Sequence, residues 1–191
     1  MSDKKLYKNK YRITSVRAQW HDYDGGMYFV TINTIDHYFG KIENTKMHLT
    51  DIGVIAENNL KTINEHYPYA EIPLYVVMPN HIHAIVIIDS SSVARNAATD
   101  SMRNSHRCVA RNASNTPKNK IMSEKSPKWG TLPVVIRGFK SAVTKYANEQ
   151  KISFKWQARY YDRIIRNQDE LNRIAVYIEN NIMKWEMTKN R

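Results

Sequence analysis

An α+β fold, built on an antiparallel βαββαβ sheet, is what this sequence predicts, and three patterns predict it. Two β-branched runs, Ile72 to Met78 and Ile82 to Ile88, flank a Pro79-Asn80 break, which reads as strand, turn, strand. Two stretches, Asp51 to His66 and Thr131 to Tyr146, carry apolar residues at helical spacing. A third stripe of that spacing follows Asn167 near the end of the chain.

The elements follow in order. Met27 to Ile35 is rich in strand formers and comes after Gly25-Gly26, so it is the first strand. Thr50-Asp51 offers an N-cap before Ile52, Ile55, Leu60 and Ile63, and this helix should end near His66, ahead of Pro68. Strands two and three form an antiparallel hairpin. Residues 89–128 then break the pattern, being rich in Ser, Asn, Arg and Lys. Val93-Ala-Arg-Asn-Ala97 recurs there as Val109-Ala-Arg-Asn-Ala113, without the period of a solenoid. The stretch reads as a long basic insertion loop, with contact to nucleic acid as the functional alternative.

Regularity returns at Thr131-Leu-Pro. Val134, Val135, Phe139, Ala142, Val143 and Tyr146 form one helical stripe, with Arg137, Lys140 and Lys145 elsewhere on the surface. Ile152 to Trp156 is the expected fourth strand, and Asn167 caps a last helix over 168–185. The order is that of a ferredoxin-like, or RRM-like, split βαβ sheet with helices on one face, plus an added C-terminal helix. One domain spans 1–191.

The 191 residues suffice for a single core. With 29 Lys+Arg against 18 Asp+Glu, the formal net charge is +11, and such an excess points to a polyanionic partner, most often nucleic acid. Twelve Tyr and four Trp supply flat faces for unpaired bases. The single cysteine, Cys108, excludes an internal disulfide and a Cys-based zinc cage. Met1 to Arg12 lacks the apolar core of a secretory signal, and no apolar run reaches the roughly 20 residues of a membrane helix. A cytoplasmic, nucleoid-associated location is the expectation.

His81-Ile82-His83 carries the most chemistry. Side chains alternate along a strand, so both imidazoles share a face while Ile82 points away. Two imidazoles on a stiff sheet make half of a divalent-metal site; structural use of the pair is the alternative. Two His are too few for a closed zinc centre. A third group is needed, such as the amide oxygen of Asn181, and the remaining open positions suit Mg²⁺ or Mn²⁺ bound to a phosphate. Near the C-terminus, Leu171, Ile174, Ala175, Ile178, Ile182 and Trp185 form an apolar stripe. Tyr177 and Asn181, four residues apart, lie along its edge. A Tyr there either presents its hydroxyl to a cleft or simply leaves it in water.

Met78-Pro-Asn-His-Ile-His83 resembles the histidine-hydrophobe-histidine motif of the HUH single-tyrosine transposases of insertion-sequence type. Trp156-Gln-Ala-Arg-Tyr-Tyr-Asp-Arg-Ile-Ile-Arg-Asn167, followed by Tyr177-Ile-Glu-Asn-Asn181, is similar to the C-terminal part of that family, in wording most like its REP-associated tyrosine transposase branch. The resemblance runs over roughly residues 20–186, leaving out the insertion, and is carried by two motifs in the right order. It implies a metal-dependent transesterase acting on single-stranded or hairpin DNA. His81, His83 and Asn181 would hold Mg²⁺ or Mn²⁺, and Tyr177 would be the nucleophile that forms a 5′-phosphotyrosine. The branch often has Pro after that Asn; here Ile182 follows, which lets the helix continue to Trp185. Tyr160 and Tyr161 are rival nucleophiles by type, but lack a ligand partner four residues on.

Arg159, Arg163, Arg166, Lys140 and Lys145 are candidates to bind phosphates or stack on bases, with solvated surface as the alternative. Two other classes stay open: a non-catalytic single-stranded nucleic-acid-binding module or inactivated relic, and a His-metal hydrolase without covalent intermediate. The family's members include dimers that exchange the tyrosine helix and monomers, so both states stand open here.

Overall fold

The computed structural model describes His21, residues 23–89 and residues 129–189. The expected basic N-terminal arm, Cys108 and the insertion beyond Asp89 lie outside the described residues. The elements are β1 (Gly25–Asn33), β2 (Gly40–Glu43), β3 (Lys46–Leu49), α1 (Asp51–Lys61), α2 (Ile63–His66), β4 (Ala70–Val77), β5 (His81–Asp89), α3 (Leu132–Glu149), β6 (Tyr161–Ile165), α4 (Gln168–Glu179) and α5 (Asn181–Lys189). Four strands form one antiparallel sheet in the order β4-β5-β1-β6, the split βαβ order that the sequence predicts. Among the described residues no helix is long and apolar enough to cross a membrane.

Alternation gives the sheet two faces. Tyr28, Val30, Ile32, Ile82, Ala84 and Val86 point to the face covered by α1 and α3, where they meet Ile52, Ala56, Leu60, Val135, Phe139 and Val143 in the main core. Phe29, Thr31, His81, His83 and Ile85 point to the other. There Leu171, Ile174 and Ile178 of α4 pack with Ile85, Ile165, Leu74 and Val76 in a smaller cluster. The helix caps are those the sequence offers. Thr50 accepts from the Gly53 N–H at 3.2 Å, and Asn167 accepts from the Glu170 N–H at 2.9 Å. Gly53 is needed for a close approach, because a Cβ there would fall on the Phe39 carbonyl oxygen.

Four expectations are corrected. The fourth strand is Tyr161–Ile165, not Ile152 to Trp156. The earlier segment is irregular, and its strand-like pairing is an isolated Trp156–Thr34 bridge. Phe154 and Trp156 pack together with Phe39, so their apolar alternation serves a side-chain cluster rather than a ladder. The helix expected to run to His66 breaks at Thr62, where φ is −101° and ψ 16°. The last helix does not run unbroken to Trp185. It ends at Glu179, Asn180 is its C-cap, and α5 starts at Asn181. The β2–β3 hairpin has no counterpart among the expected elements. Its turn residues Asn44 and Thr45 take positive φ of 52° and 57° with no glycine to mark it.

Candidate active site

The turn that delivers the two histidines is held by backbone hydrogen bonds. Thr34 N–H donates to Asn80 O at 2.9 Å, Phe39 N–H to Pro79 O at 3.0 Å, and Met78 N–H to His81 O at 2.8 Å. His81 then lies opposite Asn33, and His83 opposite Thr31 on one side and Val76 on the other. The imidazole centroids are 4.6 Å apart.

Each ring is fixed from behind through Nδ1. His81 Nδ1 sits 2.7 Å from Asn80 Oδ1, an acceptor, so it carries the proton and leaves a lone pair on Nε2. His83 Nδ1 sits 2.9 Å from Thr31 Oγ1, and donation to that oxygen leaves the same arrangement. Burial depresses both basicities. The pKa of His81 falls to about 4, and that of His83 falls to about 3, by burial first and by its neighbour His81 second. Both rings are uncharged at neutral pH, the state a metal ligand needs.

Tyr177 comes from the opposite direction, off α4. Its neighbour Ile178 is buried under the helix, which leaves Tyr177 at the edge of the stripe, 40% exposed. The hydroxyl is 3.3 Å from His83 Nε2, and the ring packs edge-on to His83 and Phe29 with centroids 5.3 and 6.1 Å away. The ammonium of Lys184 lies 5.5 Å from the centre of the Tyr177 ring.

The break at Asn180 sets the rest. Asn181 is not on the same helix as Tyr177; it is the first residue of α5, and it is buried. Trp185, one turn further, meets His81 at 5.6 Å and His37 at 6.2 Å. Glu186 accepts the Thr45 N–H at 2.7 Å and so ties α5 to the β2–β3 turn. The structure thus gathers His81, His83, Tyr177 and the start of α5 at one end of one sheet face.

The five candidate cations do not form one group. Arg163 is on the site face, but its guanidinium is 2.6 Å from the Glu170 carboxylate. Arg166 gives its backbone N–H to the same carboxylate at 3.0 Å. The Lys140 ammonium donates to the Gln157 and Arg159 carbonyls, both at 3.0 Å, and lies over Trp156, so it braces the 157–159 loop. Lys140, Lys145 and Arg159 line a groove of about 720 Å³ beside α3, together with Tyr160. Lys145 is 3.8 Å from Glu149 within it. Sequence reasoning misses Thr31, Asn80, Phe29, Glu170 and Arg173. Thr31 and Phe29 could have been found from strand alternation opposite the histidines; Asn80 stands within the motif itself.

Glu170 gives a pH signature. Its pKa is lowered, chiefly by the Arg166 N–H and then by the charge and hydrogen bonding of Arg163. A carboxylate with a depressed folded pKa adds stability above its unfolded pKa and loses it as pH falls through the folded value. Urea midpoints of the wild type and Glu170→Gln should therefore differ at pH 6–8, favouring the wild type, and the gap should shrink as pH falls below the ordinary Glu range of about 4.3. A gap that widened on acidification would contradict this.

No family model matches the chain. In the solved structure of a REP-associated tyrosine transposase bound to a REP hairpin, the same fold recurs with a TM-score of 0.53 and 17% identity, over 90% of this chain and 74% of that one. An uncharacterised protein of Haemophilus influenzae (strain ATCC 51907 / DSM 11121 / KW20 / Rd) is 30% identical over 179 residues, covering 90% of this chain and 89% of the other. The chain belongs to the family of that protein.

Proposed function

We propose that this chain is a divalent-metal-dependent single-stranded DNA endonuclease and strand transferase of the transposase type, which cuts hairpin-flanked DNA through a 5′-phosphotyrosine at Tyr177. The observation that carries the reading is the 3.3 Å approach of the Tyr177 hydroxyl to His83 Nε2, beside a second, partly buried imidazole. A tyrosine, two neutral imidazoles and a buried amide at one end of a sheet have little structural purpose together, but each has a role in phosphoryl transfer. The REP-associated neighbour was bound to a hairpin, which supports hairpin DNA as the partner.

The donor set fits a metal ion. His81 and His83 are uncharged, with Nδ1 engaged behind and Nε2 forward, and Asn181 is buried one turn before the Trp185 that packs on His81. His81, His83 and Asn181 would hold Mg²⁺ or Mn²⁺, with positions left for phosphate oxygens. A bound ion of this kind neutralises the phosphodiester and polarises a non-bridging oxygen.

The protein's own residues supply the rest. Tyr177 gives its proton to solvent and its oxygen attacks the phosphorus; a P–O bond to tyrosine forms as the bond to the 3′ oxygen breaks, and that oxygen takes a proton back from solvent. That oxygen leaves as a free 3′-OH, and the phosphotyrosine keeps the ester's energy, so attack by a 3′-OH rejoins strands without ATP. The Nε2 lone pair of His83 serves one partner at a time, so the phenol and a metal ion compete for it. Phe29 and the apolar floor keep the tyrosine ring in place through these steps.

Thr31→Val removes the oxygen that fixes His83 while keeping the side-chain volume. Mn²⁺ affinity, measured by calorimetry without DNA, should fall roughly 10- to 100-fold. Unchanged affinity would take His83 out of the metal site. The reading as a whole is tested by mixing the protein with labelled single-stranded hairpin DNA, with Mg²⁺ or Mn²⁺ and with EDTA, on a denaturing gel. A slow-moving band only with metal is expected; tight binding with no such band across many hairpins would favour a binding module.

A further inference from the structure

The register of β1 and β6 places Tyr161 opposite Thr31 and Arg163 opposite Phe29. Thr31 is itself opposite His83, so Tyr161 lies two strands from that imidazole on the same face, roughly 10 Å across the sheet. Between this edge of the sheet and α4 is a cavity of about 320 Å³, walled by Phe29, Tyr161, Arg163, Glu170, Arg173 and Tyr177. Three of its walls are aromatic and two are arginines.

The two arginines are not equivalent. Arg163 is held at 2.6 Å by Glu170, whose other oxygen takes the Arg166 N–H. Both carboxylate oxygens are engaged, and Arg163 is largely neutralised. The side chain of Arg173 makes a 3.4 Å contact with the Asp169 carbonyl, a neutral group, so its charge faces the cavity uncompensated by that bond. Arg173 and Tyr177 are four residues apart on α4, so both rise from the same helix face, with Cβ atoms about 6 Å apart. Tyr161 is 48% exposed and presents a ring to whatever enters.

We propose that this cavity holds one unpaired nucleotide, the one joined to the phosphate that Tyr177 attacks. Its base lies against Tyr161, and its outer phosphate against Arg173. The inference rests on Tyr177 as nucleophile and names the subsite that sets the strand beside it. A volume near 300 Å³ is at the small end of ligand cavities, with room for one nucleotide and none for a base pair. Stacking on an aromatic ring together with an arginine selects a single strand by class, because every base has a π-face. A duplex cannot enter without expelling a base from the stack.

The test uses labelled single strands, each with one abasic position, bound in EDTA so that no chemistry occurs. Fluorescence anisotropy compares the wild type with Tyr161→Ala, Tyr161→Phe, Arg173→Ala and Arg173→Lys. One abasic position, next to the point of covalent attachment found with metal, should weaken wild-type binding by roughly tenfold or more. That penalty should vanish in Tyr161→Ala and persist in Tyr161→Phe. Arg173→Ala should reduce the salt dependence of binding by about one phosphate, a slope change of roughly 0.7, and Arg173→Lys should restore it. An abasic penalty that survives in Tyr161→Ala, or that falls far from the attachment point, overturns the subsite. If the wild type forms no adduct but the penalty still disappears in Tyr161→Ala, the nucleophile reading fails and the nucleotide site stands.

Discussion

Tyr177→Phe is expected to abolish covalent attachment to DNA, a loss of roughly 10⁴- to 10⁶-fold in rate, while DNA affinity stays within about twofold. Only one oxygen is removed. The ring keeps its edge contacts with His83 and Phe29, and the Lys184 ammonium keeps its place over the face. The folded protein should therefore look unchanged by circular dichroism and by salt-dependent binding. Two tyrosines could rescue the reaction if the assignment is wrong. Tyr161 shares the site face, opposite Thr31, while Tyr160 lines the groove beside α3. An adduct of undiminished yield in Tyr177→Phe would move the nucleophile to one of them, with Tyr161 first by position. Cleavage that persisted without any adduct would favour a hydrolase.

His81→Ala is expected to remove the metal response altogether. Cleavage should drop by three or more orders of magnitude at any Mg²⁺ or Mn²⁺ concentration, roughly the scale for losing an essential catalytic group. Binding to single-stranded DNA at fixed salt should change by no more than about threefold, since affinity comes mainly from phosphate neutralisation by Lys and Arg. His81 is the better choice of the two histidines. It is only partly buried, at the mouth of the site beside Trp185. His83 is 6% exposed beneath Tyr177 and Phe29, so its removal leaves a hole in the packing as well as a missing ligand. A full metal response in His81→Ala would exclude His81 from the site. Lost DNA binding would make the histidine a part of the DNA surface.

Much of this site is readable in the sequence because its parts obey short-range rules. Pro79-Asn80 breaks two β-branched runs, and period-two alternation puts His81 and His83 on one face whatever the rest of the chain does. The cap residues Thr50 and Asn167 start the helices where they stand, since a side-chain acceptor next to an apolar stripe is a local signal. What the sequence conceals depends on partners distant along the chain. Ile152 to Trp156 alternates like a strand, yet its rings pair with Phe39, more than a hundred residues away, and the ladder position falls to Tyr161–Ile165. That true strand is harder to see because Asp162 and Arg163 interrupt its apolar pattern.

The end of the chain shows the same division. Leu171, Ile174 and Ile178 of the expected stripe do pack on the sheet, but nothing in its spacing announces that Asn180 ends one helix and Asn181 opens another. The contacts that anchor α5, Glu186 to the Thr45 N–H and Trp185 to His81, are long-range. Arg173 is concealed differently. It stands off the apolar stripe as an ordinary surface cation would, and only the β6 edge facing it makes a cavity there. The candidate cations illustrate the converse: charge is legible, but Lys140 turns out to brace carbonyls and Arg163 to pair with Glu170.

The most direct measurement is to trap the protein on a labelled single-stranded hairpin with Mn²⁺, digest the complex, and identify the modified residue and the DNA end by mass spectrometry. A peptide carrying a phosphodiester on Tyr177, joined to the 5′ end of the downstream fragment, with a free 3′-OH on the other fragment and no product in EDTA, is the expected result. Attachment at another residue, a 3′-linked adduct, or metal-independent product would contradict the account.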